Sequence, residues 1–317
     1  MKNVQDRKSA LKKIKSLVLY PKAEVEQFRQ KLDAEFSNVF LPNGVEKQEK
    51  VYGGVKCDLL IPEMHSSHRV ILYIHGGSFA GGSRDSWRGF CSSLANSSSS
   101  RVLVPEFRLP PTHPYPASLE DIQAVFRMLY AEEIVALKKE RGEFYNEERD
   151  IPEIIIASDG SGASIACALI FKLGERYKKC LGRLLLFSPW LDMSEDAPFP
   201  LKHHGADEVL SPEAIRRAVD LYTYSSNVSN PLVSPLKASP SEFEGFPPVY
   251  IQCGEKEMLL EQIKAFSEKL NEEKIFNVLD IWPDMMFMFQ FADEYLQESY
   301  LAVDKAGQWI KEKIEEE

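Results

Sequence analysis

The chain lacks most features of a secreted, membrane-bound or nucleic-acid-binding protein. Its five cysteines are an odd number, are widely spaced and show no metal-like pairing. No apolar run reaches the roughly 20 residues of a membrane span, and the charged N-terminus lacks the apolar core of a signal peptide. The net charge of −10 argues against nucleic acid or an anionic membrane as the main partner. We therefore predict a cytoplasmic location.

Histidine is also scarce, and none lies in the last third of the chain. The six are His65, His68, His75, His113, His203 and His204. The adjacent pair at 203 and 204 is a candidate for a metal site, but neighbouring residues do not share a helix face, and no further cluster of ligands is visible. We therefore predict neither a metal ion nor a cofactor.

The apolar content is sufficient for a substantial core. Hydrophobic residues make up 44% of 317 residues, which fits one large α/β domain with a small additional helical part. Near the N-terminus, charged residues surround Leu11, Ile14, Leu17 and Val18, whose spacing places them on one face of a helix. Residues 1–45 are therefore predicted to be helical.

One segment has the layout of a catalytic turn. Residues 154–164 read IIIASDGSGAS, an apolar run followed by a tight turn of small residues and then by a helical stretch. This is the order of the G-x-S-x-G nucleophile elbow, in which a sharp turn between strand and helix lifts the central side chain above the sheet. The central position is Gly160, so the elbow carries no nucleophilic side chain.

Further motifs lie on both sides of this turn. The glycine-rich HGGSF at 75–79 follows the apolar run 70–74, and such a turn can aim backbone N–H groups at an oxyanion. FRLPPTHPYPA at 107–117 precedes the elbow, whereas FSPWLD at 187–192 and FPPVYIQCG at 246–254 follow it.

In this order the motifs resemble those of hormone-sensitive-lipase-like esterases of the α/β-hydrolase fold. Members of that family show H-G-G-G, Y-R-L-A-P-E-H-P-x-P-A, G-D-S-A-G-G and P-P-x-x-I-x-x-G. The resemblance implies a mostly parallel central sheet flanked by helices, with a small helical cap. Residues 1–45 would be the N-terminal cap segment, and residues 46–317 the hydrolase domain with a cap insertion at about 191–230. A homodimer is one assembly that the resemblance implies.

The resemblance also assigns the positions of the catalytic triad. Glu257, in GEKEML, matches the catalytic acid, and Phe287, in PDMMFMF, stands where the family has histidine in P-x-M-x-H-x-F. Gly160 stands at the nucleophile. Only Glu257 is of a usable type, because the reaction needs a nucleophile and a base beside it.

A ligand site is predicted around the same turn. Gly76 and Gly77 match the oxyanion-hole glycines, and the N–H of Ser161 would complete the hole. The predicted ligand-binding residues are His75, Gly76, Gly77, Ser78, Ser161 and Met286. Phe287 and the methionines beside it either line the pocket with apolar surface or are ordinary core residues.

Three functions remain open. The first is a pseudoenzyme that binds a small, partly apolar molecule with a carboxylate or ester group. The second is an active carboxylic-ester hydrolase (an esterase or deacetylase) with a non-standard nucleophile or an activated water, although Ser158, Ser161 and Cys167 are more readily explained by packing. The third is a structural or regulatory partner of an active paralogue.

Overall fold

Eight strands form one sheet in the part of the chain that the computed structural model describes, namely residues 2–37, 41, 44–66, 68–194, 196–197 and 207–313. The strands are β1 (Val45–Tyr52), β2 (Val55–Pro62), β3 (Arg69–Ile74), β4 (Arg101–Pro105), β5 (Glu153–Asp159), β6 (Leu181–Phe187), β7 (Val249–Gly254) and β8 (Asn277–Trp282). Their order across the sheet is β1-β2-β4-β3-β5-β6-β7-β8. β1 and β2 pair antiparallel with their neighbours, and β4 to β8 run parallel with β3.

Helices flank this sheet and connect its parallel strands. They are α1 (Lys2–Ile14), α2 (Val25–Phe36), α3 (Arg84–Ser98), α4 (Ala117–Arg141), α5 (Gly162–Lys172), α6 (Glu175–Lys178), α7 (Pro212–Tyr222), α8 (Leu260–Glu272) and α9 (Gln297–Lys311). Parallel neighbours need a crossover, and α3, α4, α5 and α8 lie in the connections between successive parallel strands. The predicted α/β-hydrolase fold is confirmed.

Burial explains why the central strands are apolar throughout. β5 (EIIIASD) and β6 (LGRLLLF) are buried at nearly every position, because helices cover both faces of the sheet. β1 is an edge strand and exposes half of its residues. The turn that follows β5 therefore continues from a buried strand, whereas the β1 edge faces solvent.

The helical cap contacts the loop that follows β3. The N–H of Leu19, between α1 and α2, donates to Ser78 Oγ at 3.0 Å, and Arg29 Nε on α2 donates to the carbonyl of Ala80 at 2.8 Å. Tyr222, at the end of α7, stacks on Phe79 with ring centroids 4.0 Å apart. The domain boundaries at 45 and at 191–230 stay predictions.

Two predictions from the sequence, the histidine pair and the absence of a membrane span, can be compared only with the described residues. His203 and His204, together with part of the predicted insertion, lie outside the described residues. Within those residues, no helix combines the length and apolar character that crossing a membrane requires.

Candidate functional site

The turn after β5 has the predicted elbow geometry. β5 ends at Asp159, α5 begins at Gly162, and Gly160 between them has φ +45°. This left-handed conformation is accessible to glycine at little cost. The N–H of Gly160 donates to the carbonyl of Phe187, and its own carbonyl accepts from the N–H of Trp190, both at 2.9 Å. Two backbone hydrogen bonds therefore connect the turn to the end of β6 and the residues that follow it.

Phe287 faces the elbow directly. A Cβ placed on Gly160 would have one neighbour within 4 Å, the Cζ atom of Phe287 at 3.6 Å. Phe287 is 3% exposed. The two positions assigned to nucleophile and base are thus adjacent in space although far apart in sequence, and glycine and a phenyl ring occupy them.

Glu257 is held beside this segment by neutral hydrogen-bond donors. Its Oε1 accepts from the N–H of Gly254 and from the hydroxyl of Ser188, both at 2.6 Å. Ser188 Oγ in turn accepts from the N–H of Met288 at 3.1 Å. The second oxygen, Oε2, has no hydrogen-bond partner within the described chain. Burial raises the pKa of Glu257 well above its ordinary value, although its two hydrogen-bond donors act in the opposite direction.

Asp159 holds the glycine-rich turn in place. The N–H of Gly76 is 3.2 Å from both carboxylate oxygens of Asp159, which also accepts from the hydroxyl of Tyr73 at 2.8 Å and the indole N–H of Trp87 at 2.6 Å. Burial outweighs these donors and raises the pKa of Asp159 to about 7. Gly76 therefore differs from the sequence-based expectation, because its N–H already has an acceptor.

Unpaired backbone donors remain at the turn. The N–H groups of Gly77 and Ser161 make no hydrogen bond within the described residues. The Ser161 N–H lies at the start of α5, where the helix dipole adds positive potential. The side chains serve structural bonds instead: Ser161 Oγ accepts from the N–H of Phe79 at 2.8 Å, and Ser78 Oγ accepts from Leu19.

His75 has a structural environment. Its ring stacks on Phe107 with centroids 4.2 Å apart and lies 5.0 Å from the ring of Trp87. Nδ1 is 3.0 Å from the carbonyl oxygen of Gly76, which fixes it as the donor nitrogen of a neutral ring. Burial lowers the pKa of His75 to about 4. The residue supports the turn and is neutral at pH 7.

Four aromatic rings, together called the aromatic roof, pack against one another beside the turn. Phe79 stacks on Tyr222 and meets Trp190 edge-on at 5.8 Å, and Tyr222 meets Tyr115 edge-on at 5.8 Å. The predicted ligand-binding residues, Met286 among them, are all buried. Cavities of about 500 and 620 Å³ lie elsewhere in the described structure, and none of the predicted site residues lines them. Sequence reasoning missed this roof, because its rings come from separate loops and helices.

Comparison with known proteins identifies the family. A family model described as alpha/beta hydrolase fold matches residues 71–291. An esterase of Acinetobacter venetianus is 31% identical over 242 residues, covering 75% of this chain and 73% of its own. The chain belongs to the hormone-sensitive-lipase-like esterase family of the α/β-hydrolase fold. Within that family, an acetyl-hydrolase of Streptomyces hygroscopicus is 27% identical over 245 residues, covering 77% of this chain and 75% of its own.

Solved structures of the family agree with this placement. An esterase from the bacterial hormone-sensitive lipase family superposes with a TM-score of 0.82 at 25% identity, covering 97% of both chains. A hormone-sensitive lipase from a metagenome library superposes with a TM-score of 0.75 at 25% identity, covering 92% of this chain and 94% of the other. The family's architecture is therefore retained across nearly the whole chain.

Proposed function

We propose that this family member does not hydrolyse esters and instead binds a small, partly apolar ligand above the turn after β5. The observation that carries the proposal is the pairing of Gly160 with Phe287. A Cβ at position 160 would lie 3.6 Å from the Phe287 ring, so the positions assigned to nucleophile and base face each other. Because they are glycine and phenylalanine, they hold neither a hydroxyl nor an imidazole. In a serine hydrolase, loss of either group costs on the order of 10⁶ in kcat.

The environments of Ser158, Ser161 and Cys167 argue against each of them as a replacement nucleophile. Ser161 Oγ accepts a hydrogen bond from the N–H of Phe79, and no hydrogen bond joins Ser158 or Ser161 to a histidine in this part of the chain. Cys167 is fully buried in α5, and burial raises the pKa of its thiol far above the ordinary range. A thiol held neutral and away from solvent is a poor nucleophile. These environments favour the non-hydrolytic function over an unconventional esterase.

The chemistry around Gly160 favours a ligand with an oxyanion or carbonyl oxygen. The N–H groups of Gly77 and Ser161 are among the donors left without an acceptor in the described residues. A Cβ at position 160 would meet only the Phe287 ring within 4 Å, and that ring supplies an apolar wall. A few convergent donors beside apolar surface are typical of small-molecule sites. Phe79 and Tyr222 stack beside the turn and add further apolar surface.

Turnover of short acyl esters tests the first half of this proposal. We expect p-nitrophenyl acetate and butyrate to be hydrolysed no faster than with a folded, non-enzymatic control protein. The esterase of Acinetobacter venetianus serves as the positive control. Saturable turnover above about 1 s⁻¹, an ordinary rate for an enzyme, would contradict the proposal.

Thermal shifts with acids and esters test the second half. We expect acetate or butyrate to stabilise the protein more than the corresponding methyl esters do. The variant Ser161→Pro removes the N–H at a position whose φ of −68° suits proline, whereas Ser161→Ala retains that N–H and loses only the hydroxyl. The shift should persist in Ser161→Ala and disappear in Ser161→Pro. Stabilisation by the esters alone would count against the oxyanion site.

A further inference from the structure

A second candidate site lies on the other side of the segment that follows Phe287. A cavity of about 500 Å³ opens between α1, α2, α3 and α9 and the residues 290–294. Its volume is in the range of small-molecule sites. None of the triad or oxyanion positions lines it. It is therefore separate from the site above Gly160.

One part of the cavity is aromatic. Phe90 on α3 and Phe291 stack with ring centroids 4.1 Å apart and planes at 7°. Phe36 on α2 meets Phe291 edge-on at 6.2 Å. Three rings from distant parts of the chain thus line one cavity. Lys13 Nζ already lies 5.2 Å from the centroid of the Phe36 ring, so the apolar surface left for a ligand comes from Phe90 and Phe291.

The other part of the cavity carries an excess of negative charge. Among the described lining residues, Lys13 is the one cation, and it is paired with Glu294 at 3.2 Å. Asp293 and Asp304 also line the cavity and have no ion-pair or hydrogen-bond partner within the described chain. With Lys13 and Glu294 cancelling, two carboxylates remain to attract a positive group.

A buried acceptor on the cavity wall provides an independent sign of a missing partner. Gln290 is 1% exposed, and its Nε2 donates to Gln252 Oε1 at 3.2 Å. Its own Oε1 accepts no hydrogen bond from the described residues. Buried polar groups are normally hydrogen-bonded, and an unsatisfied buried acceptor is unfavourable. Because Oε1 is shielded from solvent, a ligand N–H supplies the missing donor when the Gln290 side chain turns toward the cavity.

We propose that this cavity binds a small organic cation, a protonated primary amine on a flat apolar body. The ammonium group pairs with Asp293 and Asp304 and offers N–H donors to Gln290. The apolar body lies against the rings of Phe90 and Phe291. An anion is disfavoured, because the one lining cation is already neutralised by Glu294.

Isothermal titration calorimetry with 2-phenylethylamine at pH 7 tests the ligand class. The matched neutral probe is 2-phenylethanol, which keeps the ring and chain and replaces only the ammonium group. We expect the amine to bind with a Kd below about 1 mM and at least about tenfold more tightly than the alcohol. Binding should weaken as salt is raised, because the carboxylates are near the surface. No binding of the amine, or equal binding of the alcohol, would overturn the proposal.

Two variants locate the binding. Asp293→Asn with Asp304→Asn removes both unpaired charges at exposed or half-exposed positions and should raise the Kd of the amine about tenfold. The control is Asp220→Asn, a change of the same kind at an exposed residue of the other cavity. It should leave the Kd unchanged. An unchanged Kd in the double variant, or an equal increase in the control, would show that the amine binds elsewhere.

Discussion

The region around Gly160, Gly77 and Ser161 (the closed site) and the cavity between α3 and α9 (the open cavity) lie next to one short segment, residues 287–291. The polar groups that lack a partner differ in kind between these two regions. At the closed site the groups without partners in the described chain are mainly donors, the N–H groups of Gly77 and Ser161. In the open cavity they are acceptors, chiefly Asp293 and Asp304. Burial raises the pKa of Glu257 beside Gly160, whereas Asp293 and Asp304 of the cavity are exposed or half-exposed. One stretch of chain therefore separates a region suited to anions from one suited to cations.

Trp87 connects these two regions. Its indole N–H donates to Asp159 at the closed site, and its ring meets Phe291 edge-on at 5.8 Å beside the open cavity. Both regions therefore share a rigid aromatic support. The two regions differ in which of their backbone and side-chain polar groups have hydrogen-bond partners.

The largest expected effect is restoration of hydrolysis at the closed site. Gly160→Ser with Phe287→His should raise the rate of p-nitrophenyl acetate hydrolysis on the order of 10³-fold or more above either single variant. Serine needs a hydrogen-bonded base, and the Phe287 ring already lies 3.6 Å from a Cβ at position 160. Initial rates of the wild type, both singles and the double variant measure this.

Access of substrate is tested separately in the same assay. Adding Tyr222→Ala removes the ring that stacks over Phe79 and should increase the rate of the double variant further. Equal activity in the Gly160→Ser single variant would show that Phe287 is not the base position. Inactivity of the triple variant would show that these positions do not form a triad.

The second prediction concerns the pH dependence that Asp159 gives to stability. Its pKa is raised in the folded protein from an ordinary 3.8 to about 7. The folded state therefore binds the proton more tightly than the unfolded state, and the associated stability is lost as pH rises from about 4 to 7. Between pH 5 and pH 8 the wild type should lose about 3 kcal/mol from this group, at 1.4 kcal/mol per pKa unit.

The variant Asp159→Asn isolates this contribution. Its free energy of unfolding should fall less between pH 5 and pH 8 than that of the wild type, as urea titrations at both pH values would show. His75 has a lowered pKa and acts in the opposite sense between about pH 4 and 6.5, but it is present in both proteins and cancels in the difference. Identical pH dependence in the two proteins would mean that Asp159 is ionised throughout this range.

The third prediction compares one glycine from each region. In Gly307→Ala, on α9, the new Cβ would lie 2.4–2.6 Å from atoms of Ser97 on α3, backbone included, so the two helices must separate. Overpacking of this kind costs about 1–3 kcal/mol. In Gly160→Ala the nearest atom is 3.6 Å away, and only the left-handed backbone adds strain, at about 1 kcal/mol.

Urea unfolding of these two variants measures the comparison. Gly307→Ala should be the less stable, and it should also weaken amine binding at the cavity that α3 and α9 enclose. Gly174→Ala is a suitable control, because a Cβ there meets nothing within 4 Å. Equal losses at 160 and 307 would contradict the close packing of α3 and α9.

The smallest expected effect is that of Glu257→Gln. Burial favours the neutral form of this carboxyl, and the amide oxygen can accept from Gly254 and Ser188 as Oε1 does. The free energy of unfolding at pH 7 should change by less than about 1 kcal/mol, within the range of one hydrogen bond. A larger loss, measured in the same urea titrations, would show that the carboxyl makes an interaction that the amide cannot replace.

Much of the fold was predictable, because its signals are local. The apolar run 154–158 followed by small residues predicts a strand and a tight turn, and the structure has β5, the turn at Gly160 and α5 in that order. The pairing of Phe287 with the elbow was also predictable from the order of the family motifs. The role of Asp159 was not, because its donors Tyr73 and Trp87 lie far from it in the chain.

The amino-acid sequence by itself determined what the site lacks. Glycine at 160 and phenylalanine at 287 exclude a serine hydroxyl and an imidazole at those positions in any conformation. Only the tertiary structure decided which remaining groups are free. The N–H of Gly76 donates to Asp159, and the ring of Tyr222 stacks on Phe79. The cavity beside Phe291 contains acceptors without a hydrogen-bond partner in the described chain. Hydrogen-bond partners and burial depend on side chains that folding brings together from distant parts of the chain, and no local pattern encodes them.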